Sequence, residues 1–367
     1  LHTVTVVVVD DSAFMRRAIQ KMLEKEPEIR VVGAAASGEE GVAMVERLQP
    51  DVITMDVEMP GMGGLEAARA IVSRRGPPII MVSALTRDGA ETTLRALEAG
   101  AVDFIPKPDS ALIDIVNVQR ELVEKVKHFG SRGAYLRAMR ETTRIARSAV
   151  DAAAARASAA PPPRPRARAA GGAFTCVAIG TSTGGPVALS QILPQLPAGF
   201  PIPIVIVQHM PPGFTRPLAE RLDATSKIDV VEGADGMALA PGTAIIAPAG
   251  KELRVRRGPR GVRVVLGDDP RTALHVPSVD VMASSVAEAF GAGSLGVILT
   301  GMGYDGVAGL KVIKARGGFV LGQDEASSVV YGMPRAAAAA GLVDRVLPLH
   351  DVPRALCELT GTAYAPA

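Results

Sequence analysis

VTVVVVDDSAFMRRAIQKMLEKE, residues 4–26, starts as an unbroken apolar run, stops on two aspartates and passes at once into an amphipathic stretch. An apolar run of this length closed by polar residues fits a strand buried on both faces of a parallel sheet, and the spacing after it fits a helix with one apolar face. The same unit recurs. Apolar runs return at VVGAA (31–35), VITM (52–55), IIMVS (79–83) and VDFIP (102–106), with amphipathic stretches between them. Five βα units predict an α/β, flavodoxin-like (βα)5 domain over residues 1–125.

In such folds ligands sit beyond the carboxyl ends of the strands, and polar residues gather there in this segment. Asp10 and Asp11 follow the first run, Asp56 ends the third, Ser83 ends the fourth and Lys107 follows the fifth. Three carboxylates offer hard oxygen ligands of the kind magnesium takes, and one of them can act as nucleophile toward phosphorus while the ion and the lysine offset charge on the transferred group. Helix capping is the competing reading, and Asp11 or Ser12 alone would fit it. The residues VVVVDDS, ITMDVEMPGMGG, MVSA and FIPKP together resemble a response-regulator receiver domain. That resemblance implies Asp56 as the phosphorylated residue, Asp10, Asp11 and Asp56 as the Mg2+ ligands, Ser83 and Lys107 as phosphoryl contacts, and Phe104 as the switch aromatic. It also makes Lys107–Pro108 a candidate cis bond.

At 367 residues the chain has room for two domains with cores of their own. With 21% charged residues and no apolar run of roughly 18–20 residues, it reads as a soluble protein with no membrane insertion. The first residues, LHTVTVVVVDDS, lack the basic segment of a signal peptide. Cys176 and Cys357 are too few for a disulfide framework and lack metal spacing, which fits a cytoplasmic location. The net charge of +2 is uneven: residues 131–172 carry nine arginines against Glu141 and Asp151, a balance of +7 that leaves −5 for the rest. Within that segment AAAARASAAPPPRPRARAAGG has little to bury, so residues 126–172 read as a linker, with AYLRAMRETTRIARSAV as a possible helical arm before the flexible part. Nucleic acid is not an expected partner, because no stacking aromatics or helix-turn-helix accompany the arginines.

Patterned sequence resumes over 173–362 with FTCVAI (174–179) followed by GTSTGG (180–185). Glycines permit a tight strand-to-helix turn, and Pro186 suits a first helical position. As a dinucleotide fingerprint the stretch fails at position 182, and as a P-loop it lacks the lysine. It does have the form G-x-S-x-G, in which a serine projects from a strand end near backbone amides able to stabilise an oxyanion. A serine nucleophile needs a base and the base an orienting acid. Of the five histidines, His2, His128 and His350 lie at the terminus, at the end of the first domain and in PLHDVP. His209 follows the strand-like PIPIVIVQ, and His275 lies in RTALHVPSVD. The acids Asp268, Asp269, Asp280, Asp305 and Asp324 all stay open as the third partner, Asp305 following the apolar VILT most clearly.

IGTSTGGP, VIVQHMPPGFT, HVPSVDVM and LTGMGYDGVAGL resemble the catalytic domain of the CheB family of chemotaxis protein-glutamate methylesterases. A receiver joined by a linker to such a domain is that family's arrangement. The resemblance implies a doubly wound, mainly parallel α/β catalytic domain, with Ser182 as nucleophile, His209 as base, Asp305 as orienting acid, and the backbone amides of Thr183 and Met302 as oxyanion donors. It implies methyl-accepting chemoreceptors as substrate, glutamine deamidation as a second activity, a histidine kinase as phosphodonor, no cofactor for ester hydrolysis, and phosphorylation of the receiver as the activating event. The alternative function is a non-catalytic signalling scaffold controlled by phosphorylation.

Overall fold

The computed structural model describes residues 3–107, 116, 118–131, 174–268 and 276–364. The chain divides into two compact units between Arg164 and Pro165. The arginine-rich stretch 132–172, the Lys107–Pro108 bond, His2, Asp269 and His275 lie outside the described residues.

In the N-terminal unit the apolar runs form strands β1 (Val4–Val9), β2 (Ile29–Ala35), β3 (Val52–Asp56), β4 (Ile79–Ser83) and β5 (Asp103–Pro106). They assemble in the order β2-β1-β3-β4-β5, every pair parallel, which is the flavodoxin-like order. Between them run α1 (Ala13–Leu23), α2 (Gly38–Leu48), α3 (Gly64–Ser73) and α4 (Arg87–Glu98). The hydroxyls of Ser12, Ser37 and Thr86 cap α1, α2 and α4 by accepting from Met15 N, Glu40 N and Gly89 N. Gly41 lets α2 lie directly on β1, since a Cβ there would come within 2.9 Å of Val9 Cγ2. The unit closes with a helix over 118–131, here α5. Its residues Val126 and Phe129 are buried, so the domain limit expected at 125 falls inside this helix and the packed unit continues to residue 131.

The C-terminal unit is built on a seven-stranded, wholly parallel sheet in the order β14-β13-β12-β6-β7-β9-β8. Its strands are β6 (Cys176–Thr181), β7 (Ile204–Gln208), β8 (Asp229–Glu232), β9 (Thr243–Ile246), β12 (Ser294–Ile298), β13 (Phe319–Gln323) and β14 (Arg345–Leu347). An antiparallel hairpin, β10 (Glu252–Gly258) with β11 (Gly261–Gly267), stands apart from the sheet. The helices are α6 (Gly185–Ile192), α7 (Thr215–Thr225), α8 (Val279–Phe290), α9 (Val307–Ala315), α10 (Met333–Ala339) and α11 (Val352–Thr360). Every residue of β6, β7 and β12 is buried, so the middle of the sheet is covered on both faces. One core runs from the hairpin through α8 to the sheet, joining Val255, Val264, Met282, Val286, Ala178 and Val205. From β6 the chain moves first to β7 on one side and later returns to β12 on the other. That reversal makes the carboxyl end of β6 the switch point of a doubly wound sheet. Among the described residues no helix is long and apolar enough to cross a membrane.

Candidate active site

Ser182 leaves the sheet at this switch point. Thr181 and Gln208 are register partners at the ends of β6 and β7, and His209 N donates to Thr181 O at 3.1 Å, so Ser182 and His209 emerge side by side. On the opposite flank Ser182 N donates to Thr300 O at 3.0 Å, just beyond β12. Thr300 grips the turn twice more: its carbonyl accepts from Thr181 Oγ1 at 2.9 Å, and its own hydroxyl donates to Thr183 O at 2.9 Å. The turn then needs Gly184, whose φ is +78°, and Gly185, where a Cβ would lie 1.9 Å from Gln208 Oε1. Pro186 follows in the first turn of α6, as its missing donor allows.

Asp305 arrives from the loop between β12 and α9 and meets His209, with Oδ2 2.8 Å from Nε2. Both side chains are largely buried, at 8% exposure for His209 and 13% for Asp305. The carboxylate also accepts from Val279 N at 2.7 Å, Asp280 N at 3.0 Å and Ser278 Oγ at 3.0 Å, so it sits on the amino end of α8. Burial acts to raise its pKa, but the bond and charge of His209, with the two helix amides, outweigh burial and bring it down to about 2. The carboxylate is therefore ionised at neutral pH and can only accept, which makes His209 Nε2 the donor and gives Nδ1 the acceptor role in the neutral ring.

The rival acids are engaged elsewhere. Asp280 accepts from Gly309 N at 2.7 Å, and its pKa is raised, chiefly by burial. Asp324 accepts from Ser327 N and Oγ, and Asp268 pairs with Lys251. His128 packs edge-on against Phe129 in α5, and His350 is an exposed side chain beside Asp351. Thr183 is buried next to Ser182. Met302 follows Gly301, which lies so close to the serine that a Cβ on it would come within 2.8 Å of Ser182 Cβ. Ser182, Thr183, His209, Met302 and Asp305 are thus gathered at one end of one sheet.

The N-terminal unit gathers its own set. Asp10, Asp11 and Asp56 present oxygens all within 4.8 Å of one another, the first and last buried and Asp11 exposed. Lys107 Nζ lies 2.7 Å from Asp56 Oδ2 and 3.4 Å from Asp10 Oδ2, and Lys107 N donates to Ser83 O at 2.7 Å. Ser83 is fully buried, with its hydroxyl donating to Ala84 O at 3.2 Å. Burial lifts the pKa of Asp56 to about 6, with Asp10 adding to the rise and Lys107 opposing it. Asp10 is raised too, mainly by burial. Lys107 is raised because Asp56 and Asp10 outweigh its desolvation. Asp10 Oδ2 is buried and makes no hydrogen bond, so a hard cation held by these three acids fits the donor set. Phe104 is buried on β5, its carbonyl accepting from Lys125 Nζ at 2.7 Å. Lys125 in turn lies 2.9 Å from Asp103 and 2.7 Å from Glu121.

Residues 6–117 match the response regulator receiver domain family, and residues 177–356 match the CheB methylesterase family. A protein-glutamate methylesterase/protein-glutamine glutaminase 2 from Nitratidesulfovibrio vulgaris is 50% identical over 365 residues, covering 96% of this chain and 98% of that protein. The chain belongs to the protein-glutamate methylesterase family. A second member, from Desulfitobacterium hafniense, is 43% identical and covers 97% of each chain. The crystal structure of the Thermotoga maritima CheB methylesterase catalytic domain aligns with a TM-score of 0.50 at 43% identity, over 51% of this chain and 98% of that one.

In this methylesterase-family unit three polar residues escape sequence reasoning. Ser278 caps α8 and holds Asp305, Thr300 fastens the serine turn, and Gln208 Nε2 donates to both Ser182 O and His209 O at 2.9 Å. The available signal was weak: Gln208 closes β7, Ser278 opens α8 and Thr300 follows β12, all places where ordinary caps and turns also occur.

Proposed function

We propose that the chain is a phosphorylation-activated protein-glutamate methylesterase that hydrolyses glutamate methyl esters on methyl-accepting chemoreceptors, and that it deamidates receptor glutamines by the same route. The observation that carries this is the His209–Asp305 pair beside Ser182 at the switch point of the sheet. His209 Nδ1 takes the proton of Ser182 Oγ as the oxygen attacks the side-chain carbonyl carbon of the ester. Asp305, fixed by α8, holds the ring in the required tautomer and stabilises the imidazolium. The oxyanion is met by the amides of Thr183 and Met302. In support of Met302, the carbonyl of Gly301 is anchored by Gly332 N at 3.1 Å and Met333 N at 2.9 Å, and in a trans peptide this turns the Met302 N–H the opposite way. The proton on Nδ1 passes to the leaving methoxide and methanol departs. Water then attacks the acyl-serine with the same base, releasing glutamate; a glutamine substrate loses ammonia at the first step.

In the receiver unit, Asp56 accepts a phosphoryl group from a histidine kinase. Asp10, Asp11 and Asp56 would hold Mg2+, which supplies charge neutralisation during transfer. Lys107 pairs with the phosphorylated side chain, and Ser83 and Phe104 respond to it. These partners place the protein in the cytoplasm. The test is methanol release from methylated chemoreceptor membranes. Ser182→Ala is expected to abolish it, and equal release from variant and wild type would overturn the assignment.

A further inference from the structure

Gln208 ends β7 with its side chain only 1% exposed, directly beneath the serine turn. Its amide nitrogen donates to the carbonyl of Ser182 at 2.9 Å, and Gly185 N donates to the same oxygen at 2.8 Å. The Ser182 carbonyl is therefore pulled inward by two donors. Its peptide plane is shared with Thr183 N–H, and in a trans peptide the two groups point in opposite directions. Holding the carbonyl toward the core aims the Thr183 amide outward, toward the end of the sheet where the substrate must lie. Gly185 leaves room for this, since the Gln208 amide fills the space that a Cβ at 185 would need.

We infer that Gln208 is a positioning residue for the oxyanion site: it fixes the direction of the Thr183 amide by anchoring the carbonyl on the other side of the same peptide. This rests on the reading of Ser182 as the nucleophile. Gly301 offers a parallel, its carbonyl held by two amides on the inner side of the Met302 peptide. The two proposed donors thus share one design, but only at Thr183 does a side chain supply an anchor, so only there can substitution release it. The same Gln208 nitrogen also donates to His209 O at 2.9 Å, so an effect passing through the base is the competing explanation, and the pH profile separates the two.

The test compares Gln208→Met, which keeps length and bulk without a donor, with Gln208→Glu, which keeps the shape and removes the amide nitrogen, in the full chain. Methanol release from methylated chemoreceptor membranes gives kcat and KM, and phenylboronic acid, whose tetrahedral adduct on serine occupies the oxyanion site, serves as the second probe. The expected result is a kcat lower by about 10- to 100-fold, part of what loss of an oxyanion donor costs, with KM little changed. Phenylboronate affinity should fall in proportion, while the acid limb of the pH profile stays in place. An unchanged kcat, a loss confined to KM, unaltered phenylboronate affinity or a displaced acid limb would each overturn the inference. So would loss of the cooperative thermal transition in both variants, which would assign Gln208 to the core. Full activity in Ser182→Ala would instead sink the esterase reading itself, whereas an inactive Ser182→Ala beside a normal Gln208→Met sinks only this inference.

Discussion

Asp305 carries two loads with one carboxylate. It orients His209, and it accepts two amides and a hydroxyl at the start of α8. Replacing it by Asn keeps the volume but reverses donor and acceptor along one edge, so kcat should fall by about 10^3- to 10^4-fold, read by methanol release. Stability should change as well. Its pKa is near 2 in the folded chain against an ordinary 3.8, so the unfolded chain binds more protons between those values. The contribution of Asp305 is therefore complete above about pH 4 and fades as pH falls through 2, with a size on the order of 2 kcal/mol. Acid unfolding of the catalytic unit, followed by circular dichroism, should show a shallower slope over pH 2–4 in Asp305→Asn. At this scale the sequence shows which residue types are present, not which of them meet. Asp280 and Asp324 have the same chemistry as Asp305, and only their caps at Gly309 and Ser327 take them out of contention.

At the level of elements, the parallel strands were the most legible part of the chain. VTVVVV, VITM and IIMVS read as buried strands because both sheet faces are covered, which leaves no polar alternation to interrupt them. Boundaries and loops were less so. The first domain extends through α5 because Val126 and Phe129 pack inward, a tertiary fact that the charged, helix-forming composition of that stretch hides. The hairpin β10–β11 was equally hidden, since its alternation of Leu253 and Val255 with Arg254 and Arg256 makes sense only once α8 covers one side. The close approach of the loop after β12 to the serine turn yields a prediction. A Cβ on Gly301 would meet Met333 Sδ at 2.4 Å and Ser182 Cβ at 2.8 Å. Gly301→Ala should cost about 1–3 kcal/mol by thermal or denaturant unfolding and lower kcat as well, because the loop carrying Met302 and Asp305 must move from the serine to admit the methyl group.

For the molecule as a whole, each unit gathers its candidate reactive groups at the carboxyl end of its own parallel sheet. The proposed link between them is chemical and can be tested as such. Asp56→Ala should hold the ratio of methanol release with and without a small-molecule phosphodonor at about one, while wild type rises above it. Mg2+ should raise the thermal midpoint of the receiver unit, and Asp10→Asn should remove that shift, because it takes a negative charge out of the three-acid cluster. The doubly wound order has a kinetic consequence too. Strand β6 is complete by residue 181, yet one of its two neighbours, β12, begins at Ser294, and the bond from Thr181 Oγ1 to Thr300 O spans 119 residues. Contacts so distant along the chain form late. During synthesis or refolding, the serine turn stays unfastened until most of the catalytic unit exists, so recovery of esterase activity should lag behind recovery of secondary structure. A chain truncated before residue 294 would then retain the receiver but lack β12, Thr300 and Asp305, and so stay catalytically silent whatever the state of Asp56.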